Sequence, residues 1–248
     1  MTKLQTSWRI AVTVFLLGAS AMNSGSASAT NTDEPPQAVV RPTDDFEFNE
    51  DSNKSWAAAD WVALNRRPEA QHDYVSRFKM LYSNTGIYFL FDGTDSRLTA
   101  TMTEDFDDLW TEDVFEVFLW PDEAHPIYFE YEISPLNREL PILVPNFGNK
   151  FMGWRPWNFE GERKTRTRIH ITGGEATSGA TIQGWSAEVF IPYALLAPLK
   201  NVPPRAGSKW RANVYRIDYD DDKMTQWDWA RVGPSFHEFQ KFGTLVFE

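Results

Sequence analysis

An alternating segment in the middle of the chain places a carboxylate among apolar side chains. The segment 110–119 reads Trp-Thr-Glu-Asp-Val-Phe-Glu-Val-Phe-Leu. In a strand, Glu116 shares one face with Val114 and Phe118, and the residues between them share the other face. Because an unpaired buried carboxylate is costly, we expect Glu116 to meet either a protein cation or the hydroxyl groups of a ligand. Trp110, at the mouth of this strand, offers a flat apolar face on which a sugar ring could stack.

Further acidic side chains lie within predicted strands. Glu130 and Glu132 share one face of their strand, and Glu188 lies in a later one. Paired carboxylates hydrolyse glycosidic bonds when they lie roughly 5 to 9 Å apart across a cleft. Acids within strands also pair with arginines on neighbouring strands, and Arg211 and Arg216 are available. A glycoside hydrolase therefore stays open as an alternative, and no catalytic residue is assigned.

Other kinds of chemistry find little support. The chain contains no Cys, which excludes disulfides, thiolate nucleophiles, Cys-ligated metals and covalently attached haem. It has no Gly-x-Ser-x-Gly segment, and its four His include no His-x-x-x-His pair. Five aspartates flank or fill one loop: Asp92, Asp95, Asp105, Asp107 and Asp108. Such oxygen ligands suit calcium, although the EF-hand spacing is absent and a solvated acidic loop is the alternative.

The first 29 residues have the pattern of a secretory signal peptide. Lys3 and Arg9 precede the apolar run 10–22, and Ala27-Ser28-Ala29 supplies a cleavage site. The run is too short to span a membrane, and none follows it. We expect a secreted or periplasmic bacterial protein. The formal net charge of −11 argues against nucleic acid and anionic membranes as partners.

The remaining sequence predicts a single β-domain. Residues 30–44 carry no periodicity and are expected to form a flexible leader, followed by one domain over 45–248. Short alternating segments with turn signals recur throughout this domain, whereas residues 135–162 read as a long irregular insert. No convincing amphipathic helix appears. The pattern favours an all-β sandwich.

The order and spacing of several weak motifs resemble the carbohydrate-binding module family 9-like domains, over about residues 46–248. The motifs run in chain order: Leu81-Tyr82 to Asp92, Trp110-x-x-Asp113-x-x-Glu116, Gly184-Trp185-x-x-Glu188-x-x-Ile191-Pro192, Trp210-Arg211-Ala212-Asn213, Trp229, Phe236-His237 and Phe242-Gly243-Thr244-Leu245. The resemblance implies an immunoglobulin-like antiparallel sandwich related to the DOMON group.

The resemblance also implies a sugar site. In that pattern two aromatic rings clamp a terminal sugar while a Glu and other polar groups bind its hydroxyls. Trp110 matches the first ring, Phe236 the second and Glu116 the Glu. Trp229 matches an upstream Trp, and a strand Arg of the pattern falls on Glu132. We include both with Trp110, Glu116 and Phe236 as the five candidate binding residues. Calcium near the strand that ends at Asp92 is implied as well, and we place the candidate metal site at Asp92 and Asp95.

We therefore expect an exported protein that binds a poly- or oligosaccharide in carbohydrate catabolism, beside a separate glycoside hydrolase. Two alternatives remain. One is an O-glycosyl hydrolase, which would need an inward-facing carboxylate pair between Trp110 and Phe236. The other is a haem-binding electron-transfer domain, for which Met80 and His237 are the candidate ligands.

Overall fold

The computed structural model describes residues 34–69, 72–148, 150–220 and 223–248, and these form fifteen strands and two short α-helices. The strands are β1 (Gln37–Pro42), β2 (Val62–Ala63), β3 (Asn65–Arg66), β4 (Ser76–Tyr82), β5 (Gly86–Thr94), β6 (Val114–Trp120), β7 (Ile127–Ile133), β8 (Glu139–Phe147), β9 (Lys150–Phe151), β10 (Arg155–Pro156), β11 (Arg166–Thr172), β12 (Gly184–Pro192), β13 (Lys209–Asp220), β14 (Lys223–Asp228) and β15 (Gly243–Phe247). The helices are α1 (Ser52–Trp56) and α2 (Tyr193–Leu196), and short 3-10 helices cover Leu109–Thr111, Gly161–Arg163 and Phe239–Lys241. No described helix is long and apolar enough to cross a membrane.

The strands form two layers that β1 joins. The first sheet has the order β10-β8-β7-β6-β13-β15, and the second has the order β4-β5-β12-β11. Residues 37–40 of β1 pair in parallel with β15, and Arg41 and Pro42 then pair in parallel with β4. The other strand pairings among the described residues are antiparallel, as predicted.

Alternating side chains fill the space between the two sheets. Phe115, Val117 and Leu119 of β6 point into the main core, together with Phe89 and Phe91 of β5. This is the second face predicted for the segment 114–119. Each fully buried large apolar side chain contributes roughly 1.5 to 3 kcal/mol, so this core carries the fold.

Each sheet also has an outer face that is partly covered by loops. On the first sheet, Val114 and Phe118 of β6 belong to a second apolar cluster that packs under the segment 229–242. On the second sheet, a smaller cluster forms around Trp56, Tyr88 and Phe190. Glu116 therefore lies on the outer face of the first sheet, outside the main core.

The predicted all-β sandwich is confirmed, but two predictions about its segments are wrong. Residues 37–42 of the expected flexible leader form β1, whose Ala38 and Val40 are buried in the main core. Within the expected irregular insert, residues 139–147 form β8, which pairs with β7 along its length. The predicted signal peptide lies outside the described residues.

Candidate functional site

A groove on the outer face of the first sheet brings together most of the residues predicted to bind a ligand. Its cavity of about 210 Å³ is lined by side chains from the strands and from the loops above them. Trp110, Glu116, Glu132 and Phe236 are among the lining residues, as are Phe118, Glu130, Ile142, Trp154, Ile217, Gln226, Pro234 and His237. Four of the five predicted binding residues therefore share one cavity.

Three glutamates form the floor of the groove. Glu116 of β6 lies directly opposite Glu132 of β7, and Glu130 projects from the same face two residues earlier. Their exposed fractions are 2%, 1% and 4%, respectively. Such burial of three acids on one surface is unfavourable unless protons, cations or ligand groups offset it.

Burial shifts these carboxyl groups towards their protonated forms. Loss of hydration raises the pKa of Glu116 to about 8, although Arg67 acts in the opposite direction. Burial, followed by repulsion from Glu116, raises the pKa of Glu130 and of Glu132 well above the usual range. Burial and mutual repulsion thus both favour the protonated forms of Glu130 and Glu132.

The floor of the groove contains acceptors that lack partners. Within the described part of the chain, one carboxylate oxygen each of Glu116, Glu130 and Glu132 makes no hydrogen bond. Arg67 lies beside the groove, held by Asp228 through Nε at 3.2 Å and by the carbonyl of Gly233 through Nη1 at 3.2 Å, and its charge acts on Glu116. Buried polar atoms are normally satisfied, so the three carboxylate oxygens suit the donor groups of a polar ligand.

Trp110 and Trp154 form an aromatic wall. Trp110 lies in the 3-10 helix before β6, and Trp154 precedes β10. Their rings meet edge to face, with centroids 5.8 Å apart and an interplanar angle of 71°. Both side chains are partly exposed beside the buried floor. A sugar could pack its apolar C–H surface against this wall while its hydroxyls reach the carboxylates below.

Phe236 lies in the groove, but both faces of its ring are covered. Tyr215 stacks on it with centroids 4.0 Å apart and an interplanar angle of 7°. The guanidinium of Arg67 lies 4.7 Å from the ring centroid. Since Tyr215 occupies one face, Arg67 must occupy the other. The predicted clamp is therefore corrected at this residue: Phe236 presents its edge to the cavity and positions Arg67.

His237 connects the groove to a partly exposed aromatic side chain. Its Nδ1 lies 2.6 Å from the hydroxyl of Tyr128, and its ring stacks on Phe151 with centroids 4.0 Å apart. Burial lowers the pKa of His237 to about 4, so the imidazole is neutral at pH 7. A neutral imidazole can donate one hydrogen bond and accept another, which again suits hydroxyl groups.

Trp229 does not belong to the groove. It is buried in the main core, edge to face with Phe78, and its ring abuts the backbone of Gly243. A Cβ at position 243 would lie 2.6 Å from the indole, which is why glycine follows Phe242 here. The prediction that Trp229 binds the ligand is wrong, because its indole serves packing between the sheets.

The two predicted metal ligands are separated by the pleat of β5. Asp92 lies on the outer face of the second sheet and pairs with Arg77 at 2.8 Å. Asp95 points between the sheets, where carboxylate oxygens of Asp95, Asp113 and Asp218 lie within 4.8 Å of one another. The geometry therefore excludes Asp92 from a metal site with Asp95. Asp113 and Asp218 lie beside Asp95 instead.

The charge of this inner group is only partly balanced. Arg216 contacts Asp95 at 3.1 Å and Asp218 at 2.5 Å. Burial, and then repulsion from Asp218 and Asp95, raises the pKa of Asp113 to about 9. Oδ1 of Asp218 has no hydrogen-bond partner among the described residues. Without a cation the raised pKa keeps Asp113 protonated at pH 7. If all three groups ionise, they exceed the guanidinium by two negative charges, which a divalent cation would balance.

The candidate haem ligands lie on opposite sides of the first sheet. Met80 is in the main core between the sheets, whereas His237 lines the groove on the outer face. They cannot coordinate one iron from these positions. The described residues thus offer no Met80–His237 pair for a haem.

The groove also contains residues that the sequence did not single out as ligand contacts. Glu130 could have been found, because it shares a face with Glu132, and Trp154 lies in the insert where functional loops were expected. Gln226 lines the groove and Arg67 lies beside it. Neither gave a signal, since they come from segments far apart in the sequence. Only the tertiary structure brings them to the same surface.

Comparisons with known proteins agree with this fold. A family model described as carbohydrate family 9 binding domain-like matches residues 50–139. A search of curated proteins gave no match. A Bacteroides uniformis protein to which carbohydrate binding has been ascribed has a similar structure, with a TM-score of 0.72 and 15% identity, over 87% of this chain and all of that one.

Two structures of a family 9 carbohydrate-binding module from Caldicellulosiruptor kristjanssonii are also similar. The complex with cellotriose has a TM-score of 0.58 and 12% identity, over 86% of this chain and 93% of that one. The complex with glucose has a TM-score of 0.58 and 14% identity, over 86% and 95%. At these sequence identities, the structural similarity is evidence for a shared fold alone. The motif-based resemblance is confirmed: the family 9 binding domain-like model matches residues 50–139, and the solved structures share the sandwich fold over most of this chain.

Proposed function

We propose that this protein is an exported carbohydrate-binding protein that holds the terminal sugar of a poly- or oligosaccharide in the groove. The observation that carries the proposal is the combination of the Trp110–Trp154 wall with buried, unpartnered polar atoms on the floor. Apolar C–H surface and hydroxyl groups occur together in a sugar, and the groove offers a matching surface to each. The family 9 modules of similar fold were crystallised with cellotriose and glucose, which makes a glucose-containing chain the first ligand to test.

The proposed clamp differs from the one expected from the motifs. Trp110 provides the stacking face, Trp154 borders it, and Glu116, Glu130 and Glu132 accept hydroxyl donors. The ring of Phe236 holds Arg67 beside the groove, where its charge acts on Glu116. The charge reversal at Glu132, relative to the motif, is thus accompanied by a cation from another segment.

Binding is favoured over hydrolysis, although the groove does contain inward-facing carboxylates. Glu116, Glu130 and Glu132 project side by side from one face of the neighbouring strands β6 and β7, so all three lie on the same side of the groove. The two carboxyl groups of a glycosidase instead flank the scissile bond, roughly 5 to 9.5 Å apart with the sugar between them. Incubation with cello-oligosaccharides should leave them intact, and accumulation of shorter products that requires Glu116 would establish the hydrolase alternative.

A glycan array with the mature protein, followed by calorimetric titration with cellotriose, tests the binding proposal. Trp110→Ala should weaken binding tenfold or more, because a stacked ring contributes roughly 1 to 3 kcal/mol. Trp110→Phe is the matched control, since it keeps a ring and should retain most of the affinity. No bound glycan on the array, or unchanged affinity in a folded Trp110→Ala protein, would contradict the proposal.

In the cell, we propose that the protein acts outside the cytoplasm in carbohydrate catabolism, beside a separate glycoside hydrolase. The signal-peptide pattern of residues 1–29 supports export. We also propose a structural calcium ion at Asp95, Asp113 and Asp218, which the unbalanced charge of that group supports.

A further inference from the structure

The outer face of the second sheet carries a second concave surface, remote in the fold from the groove. It is a cleft of about 410 Å³ between α1, Trp61 and the strands β5, β11 and β12. We propose that this surface, named here the Trp61 shelf, is a second glycan-binding site for a neutral pyranose chain. The inference does not depend on the groove, because different strands and side chains form each site.

Strand register builds the floor of the shelf in two adjacent rows. Asp92 of β5 lies beside Ser186 of β12, which lies beside His170 of β11. In the next row, Leu90 lies beside Glu188, and Glu188 lies beside Arg168. The following row, with Tyr88 and Phe190, is covered by the segment around α1. The segment around α1 thus covers this row of the second sheet and leaves the two polar rows open.

Trp61 provides the stacking face at one end of these rows. Trp61 is 38% exposed. The guanidinium of Arg77 lies 4.2 Å and Nζ of Lys79 lies 5.0 Å from the ring. Arg77 and Lys79 thus hold the indole in place, while the ring lines the cleft and stays partly exposed to it. A fixed and partly exposed indole at the edge of a polar cleft is suited to stacking on a pyranose.

The polar side chains of the shelf are already oriented. Oε1 of Glu188 accepts hydrogen bonds from Ser52 Oγ at 2.6 Å and from Trp56 Nε1 at 2.7 Å, and Arg168 lies 3.6 Å from Oε2. Asp92 is held by Arg77. Side chains held in this way lose little conformational entropy when a ligand binds, which favours hydroxyl recognition by carboxylate and guanidinium groups.

The charge balance identifies a neutral ligand. One cation (Arg168) and three acids (Glu50, Asp92 and Glu188) line the cleft, and two further cations, Arg77 and Lys79, lie against Trp61 at its edge. Two of the cations are engaged with two of the acids, so neither a strongly acidic nor a basic ligand finds excess charge. A neutral sugar chain can use the paired groups as donors and acceptors at the same time.

Two sites on opposite outer faces would act together on a polymer. The second contact becomes intramolecular once the first has formed, so retention on an insoluble polysaccharide can exceed the affinity of either site. Short soluble ligands would instead occupy the two sites independently.

Indole N–H signals in a two-dimensional NMR titration of the mature protein with cellohexaose test the proposal. The Trp61 signal, assigned from its loss in Trp61→Phe, should move on titration in both the wild type and Trp110→Ala. Ser186→Tyr fills the floor of the shelf and should abolish the Trp61 shift while the Trp110 shift persists. On insoluble cellulose, Trp61→Ala should reduce retention about tenfold, since a stacked ring contributes roughly 1 to 3 kcal/mol. Val39→Ala, which also removes exposed apolar surface, should not.

The outcomes separate the two sites. A Trp110 shift without a Trp61 shift overturns the shelf and leaves the groove proposal standing. A Trp61 shift without a Trp110 shift supports the shelf and overturns the groove. If neither indole signal moves with cellohexaose, both are overturned, and a Trp61 response to oligogalacturonate alone overturns the neutral class of ligand.

Discussion

The three floor glutamates show how one side chain can serve both recognition and stability. The alternation around Glu116 predicted a carboxylate on an apolar face, and the structure places it there with 2% exposure. The sequence could not show that Glu130 and Glu132 would meet it, since strand pairing decides which faces coincide. It also could not show that Arg67 would lie on Phe236, because 169 positions separate those two residues.

The raised pKa of Glu116 predicts a stability that falls as pH rises. In the unfolded chain Glu116 ionises near its ordinary pKa of 4.5, whereas in the folded state its pKa is about 8. Between these values the folded state holds the extra proton, so the free energy of unfolding decreases by roughly 1.4 kcal/mol per pH unit for each such group. Melting temperatures measured from pH 4.5 to 8 should therefore fall for the wild type.

Glu116→Gln is the matched variant for this prediction. The amide cannot ionise, so the melting temperature at pH 8 should exceed that of the wild type, and the decline with pH should be shallower. Glu47→Gln, at an exposed position, should leave the profile unchanged. A wild-type melting temperature that rises steadily from pH 4.5 to 8 would show that the floor carboxylates are ionised throughout.

At the scale of elements, two strands escaped prediction for different reasons. Strand β1 lacks a clear alternation because its residues switch partners from β15 to β4 within six residues. Strand β8 was not predicted from the sequence because it contains Pro141 and Pro145, which cannot donate hydrogen bonds. Both prolines accept instead, through carbonyls bonded to the N–H groups of Trp157 and Met152. The hairpins with plain alternation, such as β4–β5, were predicted correctly.

The position of β1 predicts that substitutions at two neighbouring residues will differ sharply in their effect on stability. Val40 is fully buried in the main core, whereas Val39 is 50% exposed. Val40→Asp would bury an unpaired charge and should destabilise the protein by several kcal/mol, enough to unfold it or lower its melting temperature strongly. Val39→Asp should change stability by about 0.5 kcal/mol or less. Thermal melts of the two variants, if indistinguishable, would show that β1 is not part of the sandwich.

At the scale of the molecule, the inner aspartate group links the two sheets at one end. Asp95 follows β5 of the second sheet, whereas Asp113 and Asp218 belong to the first. Arg216 crosses between them so closely that a Cβ at position 93 would lie 2.4 Å from its Nη1, which explains Gly93. The sequence indicated that acids gather near residue 92, but the pleat decides which of them point inward.

If calcium binds the inner aspartate group, a chelator should weaken the connection that this group makes between the two sheets. Adding a chelator should lower the melting temperature by several degrees, because 1 kcal/mol corresponds to roughly 2 to 4 °C for a domain of this size. In Asp218→Asn the chelator should have little further effect, whereas Asp92→Asn should respond like the wild type. An unchanged wild-type melting temperature, with no calcium found by elemental analysis, would reject the site.

The parallel pairing of β1 with β15 also determines when β1 can join the sheet during synthesis. The first described strand and the last lie side by side, and the N–H of Glu248 bonds to the carbonyl of Val40. Until the ribosome has delivered residue 247, β1 lacks the partner that carries most of its pairing. The sandwich therefore cannot close through β1 before residues 243–247 have been synthesised, and the earlier strands are expected to wait for this closing pair during translation.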